Sequence, residues 1–278
     1  MGSRAFSQGK TTSSGKKYGQ NSRWKYGLFW AIQFLIIVAV FSFPPVAQDP
    51  EYHNFADVRT FFMIPNMMDV TSNILYLVAG VWGAVLLIRR PSSPDKIITP
   101  GLRLMWLICF ISLAMIAFGS GYYHLLPNNH TLLWDRLPMS LAFMTLLAIL
   151  MAERWNEEKI LCLWPVLLIL GGGSVLYWYQ TELSGAGDLR AYAITQFGGL
   201  LAMVMLLIMW PARYTRQGDL VWVLICYIVA KLLEFTDISV FEVSQQLISG
   251  HTLKHYISGI GAVILVYHLH RRESRRLQ

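Results

Sequence analysis

The sequence predicts an all-α polytopic membrane protein, and three observations carry that prediction. Of its 278 residues 55% are hydrophobic and only 14% are charged, where a soluble domain carries about 25% charged residues. The apolar residues gather into long continuous runs close to the length of about 20 residues that a bilayer-crossing helix needs. The basic residues alternate between the two ends of those runs. Eighteen of the 23 Lys and Arg fall in segments 1–26, 89–103, 154–159, 213–216 and 271–276, while the opposite ends hold only Arg59, Arg136, Arg190 and Lys254. By the positive-inside rule this fits eight crossings with both termini in the cytoplasm. The net charge of +7 is therefore a topology signal and not a nucleic-acid footprint.

Residues 1–26 are polar, rich in Ser, Gly, Lys and Arg and without apolar period, so they read as a disordered basic cytoplasmic arm. The run at 27–44 is long enough to cross the membrane. A cleaved signal peptide is its rival, but Pro44-Pro45-Val46-Ala47-Gln48 makes a poor cleavage site behind so long a charged leader. Residues 45–67 form an amphipathic, partly acidic outer linker with Asp49, Glu51, His53, Asp57 and Asn66. Seven runs follow at 68–88, 101–124, 135–152, 160–178, 190–210, 219–238 and 245–270, none of them β-like. Gly171-Gly172-Gly173 lacks the Lys-Ser/Thr of a phosphate loop and reads as a helix-packing site. Residues 271–278 are a basic cytoplasmic tail. Cys109, Cys162 and Cys226 lie far apart inside apolar runs, with no CxxC, and read as small buried apolar side chains.

Polar residues inside such runs are costly and default to function. In a helix Ser120 and His124 share a face, as do His251 and His255. Counting about 1.5 Å of rise per residue from the basic end of each run puts Ser120, His124, Asp135, His251 and His255 about 24–31 Å up. Three segments remote in sequence thus carry a hydroxyl, three imidazoles and a carboxylate to one thin layer near the outer edge of the core. Three neutral imidazoles in an apolar setting suit zinc with one coordination position open. His130, His268 and His270, at helix ends, read as solvated.

The pattern Ser120-x3-His124, then Asp135 within Trp134-Asp135-Arg136-Leu137-Pro138, then His251-x3-His255 within Ser249-Gly250-His251-Thr252-Leu253-Lys254-His255, resembles the CREST superfamily of seven-helix membrane hydrolases. Ile64-Pro65-Asn66 leading to Ser72-Asn73 adds to the likeness, which covers about residues 50–270. Within that superfamily the chain looks most like the bacterial alkaline-ceramidase-like branch. The resemblance implies a seven-helix CREST-type bundle over 68–270, with 27–44 as one extra N-terminal transmembrane helix. It implies that His124, His251 and His255 bind Zn2+, and that Ser120 and Asp135 are catalytic, flanking an activated water. The implied reaction is hydrolysis of ceramide or a related N-acyl lipid to a fatty acid and a sphingoid base. The implied setting is a multi-pass protein of a bacterial inner membrane, its site towards the outer (periplasmic or lumenal) side, with a membrane lipid as substrate and no nucleic-acid partner.

Eukaryotic ceramidases of the superfamily also hold calcium through acidic residues before the first core helix. Here Glu51, Asn54, Asp57, Asn66 and Asp69 lie in that region, but the acidic motif is not reproduced, and a neutral amide at Asn66 weakens a Ca2+ site. Lys231, Glu234 and Asp237 fall at spacing three, on one expected stripe of the seventh crossing. They suit a buried ion pair or a supporting role beside the metal, and less well a proton relay. The main rival to an amide hydrolase is a receptor-like seven-helix protein with a structural zinc site.

Overall fold

The computed structural model describes residues 23–89 and 98–275 and is all-helical. The expected disordered arm therefore lies outside the described residues up to position 22, and so does the end of the tail beyond 275. Helix α1 spans Arg23–Phe41, so Arg23–Tyr26, expected in the arm, are helical. A 3-10 turn, Pro50–His53, follows in the linker. Then come α2 (Met67–Thr71), α3 (Ile74–Arg89), α4 (Pro100–Leu125), α5 (Asn129–Ala152) and α6 (Glu157–Leu183). After α6 come α7 (Arg190–Ala193), a π-helical turn (Ile194–Gly198) and α8 (Gly199–Met209), then α9 (Gln217–Phe235), α10 (Asp237–Val243) and α11 (Gly250–Arg271).

Among the described residues six spans are long and apolar enough to cross a membrane: α1, α2–α3, α4, α5, α6 and α7–α8. Helices α9 and α11 are 19 and 22 residues long; α9 is apolar but carries the three charges Asp219, Lys231 and Glu234, and α11 is more polar. In the bundle α5 packs between α4 and α6, α3 lies between α4 and α11, and α9 covers α11. Helix α5 is the most enclosed of the six spans, with 72% of its apolar window buried, whereas α1 has only 6% buried and rests against α8 and the π turn. Phe29 is the buried anchor of α1, edge-on to Trp155 and Trp210.

Several boundaries differ from expectation for local reasons. Helix α5 begins at Asn129 and not at Asp135, because Asn128 caps it and Thr131 completes a capping box. The expected run at 219–238 ends at Phe235, with Thr236 as its cap. Asp237 thus opens α10 and leaves the stripe shared by Lys231 and Glu234. Ser249 caps α11, so that helix starts at Gly250. The basic tail is not simply solvated either. Arg272 is buried in an ion pair with Glu153, and the Thr215 amide donates to the Glu273 carbonyl. His268 is fully buried, with Nδ1 3.2 Å from the Arg216 carbonyl. His130 bonds Tyr179 Oη at 2.8 Å. Cys109 is buried as expected, but Cys162 is exposed.

Candidate metal centre

The ends of α4 and α11 meet beneath the linker. His124, the penultimate residue of α4, His251 in the first turn of α11, and His255 one turn later are all buried. Their rings lie mutually edge-on, with centroids 4.8, 4.9 and 4.9 Å apart. One nitrogen of each falls within 4.8 Å of the others, and among the described residues this is the group that can hold a metal ion.

Close backbone approach brings these helices together. A Cβ at Gly119 would stand 2.8 Å from the Trp134 carbonyl carbon, with the carbonyl oxygen closer still. Only glycine lets α4 and α5 meet there, beside Ser120 and Asp135. Gly250 plays the same part for α11, where a Cβ would stand 2.8 Å from the Cα of Asp237.

The hydrogen bonding around the rings fits a metal. Both ring nitrogens of His124 are buried and have no hydrogen-bond partner. A fully enclosed imidazole with no partner is costly unless an ion takes a lone pair. His255 Nδ1 lies 2.8 Å from Ser72 Oγ, which also reaches the Asp69 carbonyl at 3.0 Å. With the hydroxyl proton on that carbonyl, Nδ1–H donates to Ser72 and the Nε2 lone pair is left to coordinate. The His251 amide donates to Asp237 Oδ1 at 2.7 Å, fixing the start of α11. Asp69 Oδ1 accepts from Thr252 Oγ1 at 2.5 Å, tying α2 to the turn between the two histidines. Three buried imidazoles, one of them oriented by Ser72, can coordinate a metal ion.

Ser120, one turn before His124 on α4, and Asp135 of α5 are both buried, with the Ser120 hydroxyl close to the Asp135 carboxylate. Asp135 also lines a polar cavity with Arg136, Tyr192, Gln196, Lys231, Glu234 and Lys254. Next to it lies an apolar cavity, walled by residues such as Leu113, Ile116, Phe143 and Leu265, and Met139, Lys231, Glu234 and Lys254 face both. The apolar and polar cavities measure about 130 and 220 Å3.

Further residues surround the histidines. Phe55, from the linker, packs against both His124 and His251 at 4.6 Å. The Asn66 amide donates to the His124 carbonyl at 2.8 Å. Lys254 Nζ lies 3.1 Å from His251 Nε2 and 3.5 Å from Glu234. Glu234 also pairs with Lys231 at 2.5 Å and accepts from Tyr52 Oη at 2.9 Å. Burial, with Glu234 beside it, holds the Tyr52 phenol well above its usual range, so it stays a donor. Asp237 is turned away from Lys231 and Glu234, onto the backbone of His251 and Ala56. The residues considered for calcium are engaged singly. Asp57 pairs with Arg59, Glu51 with Asn54, and Asn66 and Asp69 as above. Among the described residues they form no second metal-binding group.

Comparison of the chain with protein-family models, curated proteins and solved structures gives no match. The functional reading rests on the site.

Proposed function

We propose that this protein is a zinc-dependent intramembrane amide hydrolase cleaving ceramide or a related N-acyl lipid into a fatty acid and a sphingoid base or equivalent amine. The observation that carries the reading is the unpartnered buried His124, within a cluster of three buried histidines. The resemblance to the CREST superfamily, with seven core helices and one added at the N-terminus, points the same way.

His124, His251 and His255 would hold the ion. When bound, zinc supplies Lewis-acid polarisation of a carbonyl and makes water acidic enough to ionise near neutral pH. Asp135 then takes the proton from the attacking water and hands it to the departing amine. Ser120 donates a hydrogen bond to the carbonyl oxygen as charge grows there. The apolar cavity accepts the acyl chain and the polar cavity the amine side. With both termini cytoplasmic, the site faces the outer side of the membrane.

The test is release of fatty acid from labelled ceramide by purified protein, alongside its metal content. His255→Ala and strong chelation should each abolish release, and His124→Ala should lose the metal. Full activity after either treatment refutes the hydrolase. Metal loss that only melts the bundle, in a protein without turnover, favours the receptor-like reading.

A further inference from the structure

The polar cavity is built for charge. Three of its lining side chains are cationic, Arg136, Lys231 and Lys254, against two carboxylates, Asp135 and Glu234. Glu234 is satisfied from within by Lys231, Lys254 and Tyr52. Asp135 has the Ser120 hydroxyl close by. Arg136 is the group left over.

Arg136 is only 5% exposed, yet among the described residues no carboxylate reaches it at ion-pair distance. Its one hydrogen bond runs from Nη2 to the neutral Gln48 Oε1 at 2.6 Å, and Nη1 is buried without a partner. Three aromatic rings hold the guanidinium in place: Trp178 at 4.3 Å, Tyr192 at 4.8 Å and Tyr52 at 5.4 Å. Aromatic faces stabilise a cation and fix its plane without neutralising it. A rigid, enclosed guanidinium with a free N–H is a receptor for an oxyanion, which it binds through charge-assisted and often paired hydrogen bonds. Lys254 extends the positive field towards His251.

We infer that the lipid cleaved here carries an oxyanion, a carboxylate or a phosphate, on the amine side of its amide, and that Arg136 is the specificity-determining residue that receives it. This rests on the hydrolase reading above. In the reaction, water adds across the amide. The C–N bond breaks and a C–O bond forms at the acyl carbon. The amine leaves with both protons of the water, so that an acyl carboxylate and an ammonium bearing the oxyanion are released. The acyl chain occupies the apolar cavity. The cavities share Met139, Lys231, Glu234 and Lys254, so one extended amphiphile can fill both.

The experiment uses the full chain, metal-loaded, in detergent, with three lipids of one palmitoyl chain: N-palmitoylglycine, N-palmitoylethanolamine phosphate and neutral N-palmitoylethanolamine. At least one anionic lipid should exceed the neutral one about tenfold or more in kcat/KM, and which one identifies the oxyanion. Arg136→Gln should bring that ratio below about twofold, and Arg136→Lys should restore part of it. Binding of labelled N-palmitoylglycine to the metal-stripped protein should fall in Arg136→Gln and recover in Arg136→Lys. A wild-type ratio within about twofold overturns the inference and leaves the hydrolase standing, and it does so even if Arg136→Gln fails to fold. A preference that survives Arg136→Gln overturns the role of Arg136. Arg136-dependent binding with no turnover of any lipid supports the oxyanion receptor and refutes the hydrolase.

Discussion

Consider Gly119→Ala. The new methyl carbon would lie 2.8 Å from the Trp134 carbonyl carbon, whereas carbon atoms in contact rest about 3.5 Å or more apart. The obstacle is backbone of α5, so no side-chain rotation relieves it, and α4 must retreat by at least about 0.7 Å. His124 follows five residues later on the same rigid helix, while His251 and His255 stay on α11. Metal–ligand distances tolerate only about 0.2 Å. The shift should therefore weaken metal binding by at least tenfold, comparable to losing an outer-shell partner, for which about 10–100-fold is typical. Gly121→Ala is the internal control. It lies on the same helix, and its Cβ would meet only the Val70 carbonyl oxygen at an ordinary 3.9 Å. Both changes gain the helix propensity of alanine, up to about 1 kcal/mol, so intrinsic helicity cannot explain a difference between them. Zinc affinity by competition with a chromophoric chelator decides the matter. Affinities within twofold of each other in the two variants would refute the idea that this backbone contact sets the position of His124.

Ser72→Ala removes the oxygen 2.8 Å from His255 Nδ1 and should lower zinc affinity about 10–100-fold, read by the same competition. Arg190 bonds hold the Asp188 carboxyl down at about 2. A carboxyl depressed below its ordinary value of about 3.9 contributes about 2 kcal/mol. That contribution is fully present above the ordinary value and lost as pH falls through about 2. Asp188→Asn should accordingly lower the thermal midpoint at pH 7 and flatten the acid limb of stability between about pH 4 and 2. Glu153→Gln strands buried Arg272 and should cost about 3–5 kcal/mol. The double change Glu153→Leu with Arg272→Met should recover much of this loss in thermal unfolding, because it leaves no unpaired charge.

The meeting of His124, His251 and His255 was legible because helical rise is regular. Counting residues from the basic ends put Ser120, His124, Asp135, His251 and His255 at one depth, and the i, i+4 spacing put pairs of them on one face. Azimuth was not legible, since it depends on which helices touch. That is why the approach of Lys254 to His251 and the burial of His268 carried no signal. The break at Thr236 contains neither Pro nor Gly, so the apolar pattern of the sequence runs on through Asp237. Depth along a helix likewise says nothing of an irregular segment such as the linker. Phe55 and Asn66 reach the histidines through bends that no periodicity announces. In the sequence Arg136 is one of four basic residues on the sparse side and part of the Trp134–Pro138 motif, and its isolation from carboxylates emerges only in three dimensions.

Phe55 stands over His124 and His251, Asn66 holds the carbonyl of His124, and the Gln48 backbone amide donates to Glu182 Oε1 of α6 at 2.5 Å. The stretch between α1 and α2 is thus the roof of the metal chamber as well as a tether. The smallest excised fragment able to keep that chamber shut must start upstream of Gln48. A version trimmed to Met67 would retain all three imidazoles and yet leave two of them uncovered.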